Sequence, residues 1–221
     1  MSSPAVIPSL ARVVRGLSAL FWGLPLVLLL DAKSALEDSL RGFGFAPVVA
    51  ASVLVAYGVQ QLSHFQPQER VWVGAVERAR LLAWLLVALA PFTVWWGRRP
   101  EEPFFAQSMV VLVFAGLAFL LALNHVLVRL AAMLPDETLR VETRFFAHLN
   151  HTLLITQTVL AAAYLLLAHR PHLPYALGWM LGALDNARTL LVVVLTLPPI
   201  ALTMTLLWKT KEVIMTSVFR P

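Results

Sequence analysis

The stretch FFAQSMVVLVFAGLAFLLALNHVLV, residues 104–128, holds one histidine and no other ionisable side chain. As an α-helix it extends about 37 Å at 1.5 Å per residue, more than the roughly 30 Å of a bilayer's hydrocarbon core. Five further apolar runs lie around it, at 13–30, 45–62, 79–97, 149–168 and 189–208, and charged residues flank these runs and avoid their middles. The chain has 221 residues, 59% of them hydrophobic and 13% charged, with a mean hydropathy of +0.77. Soluble domains run at roughly 45–50% apolar and about 25% charged. A chain this short cannot hide so much apolar surface from water, so its solvent is lipid. That excludes a water-soluble enzyme and a disordered chain. The expected fold is all-α, a single polytopic bundle of six transmembrane helices.

Two spans admit rival readings. Arg12 and Arg15 precede the first apolar run and Ala32-Lys33-Ser34 loosely resembles a cleavage site, which is signal-peptide grammar. Asp31 and Lys33 crowd that site, so a retained helix is expected. In the last run Pro198-Pro199 removes two backbone donors, and a bend or a local loss of helix is expected there. A seven-crossing alternative splits this region into 175–197 and 200–219. It places Asp185, Arg188, Lys209, Lys211 and Glu212 inside the membrane, where ionisable groups are costly. The six-crossing reading instead makes Asp185 the cap of a helix from Asn186 and leaves 173–184 at the interface.

Orientation follows from Lys and Arg, which stay on the cytoplasmic side. With six crossings, eleven of them (the N-terminal tail, the connections near Arg70–Arg80 and Arg129–Arg144, and the C-terminal tail) fall on one side, against six on the other. Both termini are therefore expected in the cytoplasm. The Arg-, Ala- and Leu-rich composition is that of a GC-rich genome, and the expected location is a bacterial inner membrane. The net charge of +5 reads as this retention. No basic cluster carries interleaved aromatics, so nucleic acid is not expected as a partner. Trp95, Trp96, Phe104 and Phe105 bracket Arg98 and Arg99 as an aromatic belt, whereas Trp22 and Trp84, inside spans, are expected to pack. Small residues recur at packing spacing in Ala46/Ala50, Ser52/Ala56, Ala118/Ala122 and Gly178/Gly182.

Several helices are expected to outrun the bilayer. Pro67 suits a first turn, and residues 68–80 extend the third span. Asp136 suits a cap, with Arg140 four residues on as its partner, and nothing breaks the helix from 136 until Pro171. The fourth helix runs similarly to Met133, so 129–148 forms a cytoplasmic hairpin. Around that turn Asn124, His125, Arg144, His148 and His151 are the candidate polar cluster, and His125, His148 and His151 the candidate metal ligands, since imidazole suits several metals and proton relays. Their spacing matches no metal motif. Asn124, Gln157, Thr152, Thr156 and Thr158 are polar groups expected to tie helices together. Thr203 and Thr205 stand where they can serve backbone freed by the prolines. No cysteine is present, which excludes thiolate and iron–sulfur chemistry, and no phosphate loop or serine elbow appears. No catalytic residue and no cofactor is assigned.

The leading expectation is a non-catalytic accessory or partner-binding subunit, in contact with the lipid bilayer and with a protein partner at the 129–148 hairpin or the C-terminal tail. The alternative is a small transporter or lipid-handling protein using the kinked sixth helix. A second alternative is a membrane-embedded metal enzyme built on His125, His148 and His151.

Overall fold

The computed structural model describes residues 6–36, 43–168 and 188–219. Six helices make up the described chain, with no strand: α1 (Val6–Leu36), α2 (Ala46–Leu62), α3 (Arg70–Arg98), α4 (Pro103–Met133), α5 (Glu137–Ala168) and α6 (Arg188–Phe219). Four of them, α1, α3, α4 and α5, are long and apolar enough to cross a membrane, while α2 is an apolar helix of 17 residues. Asp185, His169, His172, Gly178, Gly182 and the 173–184 segment lie outside the described residues.

The helix ends follow local chemistry. Pro47 and Pro103 occupy first turns of α2 and α4, where a missing N–H costs nothing. Asp136 caps α5, its Oδ1 accepting the Leu139 N–H at 2.9 Å. Arg140, expected to pair with Asp136, instead donates to the Ala132 and Leu134 carbonyls at 3.5 and 3.4 Å. These are among the acceptors left open where α4 ends, and a cation suits that negative end. The extension of α3 begins at Arg70 rather than 68. A turn through Gln66, at φ 44°, and Pro67 comes first.

Sequence neighbours are neighbours in space. α1 packs on α2, α2 on α3, α3 on α4, α4 on α5 and α5 on α6, and α6 returns to α1, closing the ring. One end gathers aromatic rings. Phe92, Trp95, Phe104 and Phe105 meet around the α3–α4 turn, and Phe45 of α2 reaches Trp95 at 6.4 Å. The opposite end carries the α2–α3 and α4–α5 turns and the charged end of α6. Trp22 and Trp84 do not pack inside as expected. They stand 63% and 51% exposed on the outer surface, where an indole suits lipid, and among the described residues the fully buried tryptophan is Trp72, edge-on to Phe65.

The α1–α2 contact is the tightest. A Cβ at Gly16 would sit 2.7 Å from the Gly58 carbonyl oxygen, and one at Gly58 2.7 Å from Leu20 Cγ. Ser52 and Ala56, from the expected small pairs, lie buried at this helix's inner face, whereas Ala46 and Ala50 are exposed. Gly16→Val therefore forces the two helices apart and should cost about 1–3 kcal/mol. Gly74, with nothing within 4 Å of its missing Cβ, should gain up to about 1 kcal/mol as Gly74→Ala. Thermal unfolding of the two variants in detergent checks the pair; equal behaviour would contradict the glycine contact.

Candidate functional site

Pro198 and Pro199 have no N–H, so the carbonyls of Val194 and Leu195 lose their helical donors. Even so, α6 runs unbroken from Arg188 to Phe219 through both prolines. The local loss of helix expected there does not occur, and neither does a split into two helices between 197 and 200. Part of the reason is visible in the neighbouring helix. Gln157 Nε2 of α5 donates to the Leu195 carbonyl, the oxygen that Pro199 leaves open. Two turns along α5, Asn150 Nδ2 donates to the Pro199 carbonyl at 3.2 Å and to Thr203 Oγ1 at 2.9 Å, and Thr203 Oγ1 donates back to the Pro199 carbonyl at 2.7 Å. Thr205, also expected to serve the freed backbone, bonds Ala201 on an exposed face.

These bonds belong to a longer seam. Thr143, Asn150 and Gln157 are buried and spaced by sevens on α5; Thr203 and Thr210 are buried and spaced by seven on α6. The helices run antiparallel, so the Asn150–Thr203 bond sets a register that places Thr143 level with Thr210. At the same level Glu142 Oε2 meets Lys209 Nζ at 2.5 Å, and the same ammonium lies 5.5 Å from the Phe146 ring centroid. The seam then opens into a groove of about 320 Å³ whose polar lining is Asp136, Thr138, Glu142, Lys209, Glu212 and Thr216.

Among the described residues five seam atoms or their neighbours lack partners: Thr143 Oγ1, Thr210 Oγ1, Asn150 Oδ1 and both amide atoms of Asn124 on α4. Other threonines of these helices bond the carbonyl four residues back, as Thr152, Thr156, Thr158 and Thr205 do. Thr143 and Thr210 do not, which leaves their hydroxyls to the seam.

The expected polar cluster divides between a buried and an exposed environment. Asn124 is buried, whereas His125, Arg144, His148 and His151 are exposed. The charges acting on His125 are Arg129 and Arg78, not Arg144. Among the described residues no three His, Asp or Glu side chains could hold one metal ion. The physical reason is helix phase: 144, 148 and 151 lie on α5's outer side, and 143, 150 and 157 form its inner stripe. Gln157 ties the helices as expected, whereas the role of Asn150 and the seven-residue spacing emerge only from the structure. Asp136, Thr143, Asn150 and Gln157 at equal intervals were the available signal. A further polar contact joins half-buried Asp31 of α1 to buried Thr93 of α3. Comparison of the chain with protein-family models, curated proteins and solved structures finds no match in any of the three.

Gln157→Leu should destabilise the protein by about 0.6–1.7 kcal/mol, the range of hydrogen bonds between membrane helices. Pro199→Ala restores the N–H that the Leu195 carbonyl lacks. In that background the Gln157→Leu cost should fall to near zero. A double-mutant cycle of unfolding free energies measures the coupling, and additive costs would contradict this account.

Proposed function

We propose that the chain is a six-crossing integral membrane protein that works, without catalysis of its own, by holding a protein partner at the end of the α4–α5 hairpin. The observation that carries this reading is an uncovered apolar stripe. Val141 and Phe145, 64% and 68% exposed, and Leu149 recur at intervals of four on the outer side of α5. Helix length argues that this stripe leaves the hydrocarbon. At 32 residues α5 extends about 48 Å, roughly 18 Å more than a hydrocarbon core. With the 149–168 portion in lipid, the turns bearing Val141 and Phe145 stand in water. Arg144 and His148 share that side, so the surface mixes aromatic, aliphatic and basic groups, the composition of a docking face.

In the same reading α2 and α6 cross as well. A 17-residue helix spans about 26 Å, within the reach of modest bilayer thinning. The charged end of the ring faces the cytoplasm, as the Lys and Arg distribution requires, and the double proline bends α6 gently. The inner membrane of a bacterium is the proposed location. A reporter active only in the cytoplasm, fused after Pro221, should be active; a signal only from a reporter active outside would overturn the six-crossing reading.

The docking reading has its own test. A photo-crosslinking amino acid at Phe145 in native membranes should yield one protein adduct of discrete mass. The same group at Val159, on the apolar outer face farther along α5, should yield none. Phe145→Asp should remove the partner from the protein purified in mild detergent. Lipid adducts alone at both positions would overturn the proposal.

A further inference from the structure

We infer that the α5–α6 seam is an access path for a small inorganic cation, running from the groove at the charged end as far as Asn150. The inference stands apart from partner docking, which uses the outer side of α5. Three observations converge on it.

The first is the mouth. Its side chains include three carboxylates, Asp136, Glu142 and Glu212, against the single ammonium of Lys209. Glu142 is matched by Lys209, and Asp136 lends one oxygen to the cap of α5. The mouth thus keeps a net negative charge, and a cleft of one sign concentrates counter-ions.

The second is the interior. Level with the Glu142–Lys209 pair, at the next residue on each helix, stand Thr143 and Thr210, with 1% and 0% of their surface exposed. Both hydroxyl oxygens lack a partner among the described residues. Buried polar atoms are rarely left alone, because desolvating them without a partner costs free energy. Seven residues farther, about 10 Å along the axis, Asn150 has spent its donors on Pro199 and Thr203. Its free Oδ1 is an acceptor only. What these layers offer, then, is neutral oxygen, the ligand that hard cations take.

The third is the spacing between layers. At that level α5 contributes Ala147, a single methyl, while Leu206 and Leu207 of α6 are buried nearby. A small side chain on one helix lets an ion pass with less displacement of its neighbours than a bulky solute would need.

The natural chain has no cysteine, so single cysteines report access without a background. Thr143→Cys, Thr210→Cys and Ala147→Cys are reconstituted in lipid vesicles and exposed to Ag⁺, or to a bulky impermeant thiosulfonate. Thr216→Cys at the mouth and Val159→Cys on the outer apolar face are the references. Ag⁺ should react at the three seam positions within about tenfold of its rate at the mouth, and Glu212→Gln should lower the seam rates severalfold by weakening the local field. The bulky reagent should react at the mouth alone. Seam rates as slow as Val159 with Ag⁺, or equal rates with both reagents, would overturn the inference. Should the cysteine variants misfold, the natural protein decides: magnetisation transfer from water to the Asn150 side chain should match that to Thr216, and transfer as slow as to Val159 overturns the path.

Discussion

A backbone carbonyl shut away from water must find its donor within the protein. Two adjacent prolines in α6 break that condition at Val194 and Leu195. The structure answers at Leu195 with a side chain from another helix, since Gln157 occupies the place of the missing N–H. A bond of this kind fixes more than one oxygen. It ties α5 to α6 in a single register, and Asn150 repeats the tie at Pro199 and Thr203. Because α6 also packs on α1, the same ties hold the last helix where it closes the ring.

The demand for donors on the inner side of α5 inverts that helix. Thr143, Asn150 and Gln157 face inward, and Val141, Phe145, Ile155, Val159 and Leu166 are exposed. In water such a helix would be inside out. In lipid the apolar side is the solvated one and the polar side is the adhesive, since lipid tails give apolar side chains no reason to prefer one another. The inversion also explains why Arg144, His148 and His151 are exposed while Asn150 between them is buried. They sit on the outer side, Arg144 and His148 in the turns that extend past the apolar portion of the helix and His151 at its start.

The helices themselves were legible in the sequence because length and apolarity are local properties. The long α4 and α5, the turn at Leu134–Pro135 and the Asp136 cap need nothing beyond the chain near them. The seam was less legible, because it depends on the phase of α5 and on a partner 38 residues away at Leu195. Sequence alone could say that α6 had lost donors; it could not say that Gln157 would replace one and let the helix continue. The glycine contact failed for a similar reason. Gly16 and Gly58 are not spaced as a pair on one helix, and only the crossing of α1 and α2 brings Gly58 within 2.7 Å of a Cβ at Gly16.

The ring is thus joined by two kinds of contact. Between α1 and α2 the backbones approach through glycine, and the attraction is dispersion summed over close atoms. Shape alone sets that register, and any added methyl opposes it. Between α5 and α6 the helices meet through side-chain amides and hydroxyls, and directional bonds set the register. The second kind of contact tolerates unfilled polar capacity, as Thr143, Thr210 and the Asn150 oxygen demonstrate, whereas the first leaves no capacity at all. A membrane bundle that needs both a rigid joint and a polar interior would separate them in this way. The glycine joint holds one side of the ring closed, and the polar chemistry collects on the side where α6 carries its prolines.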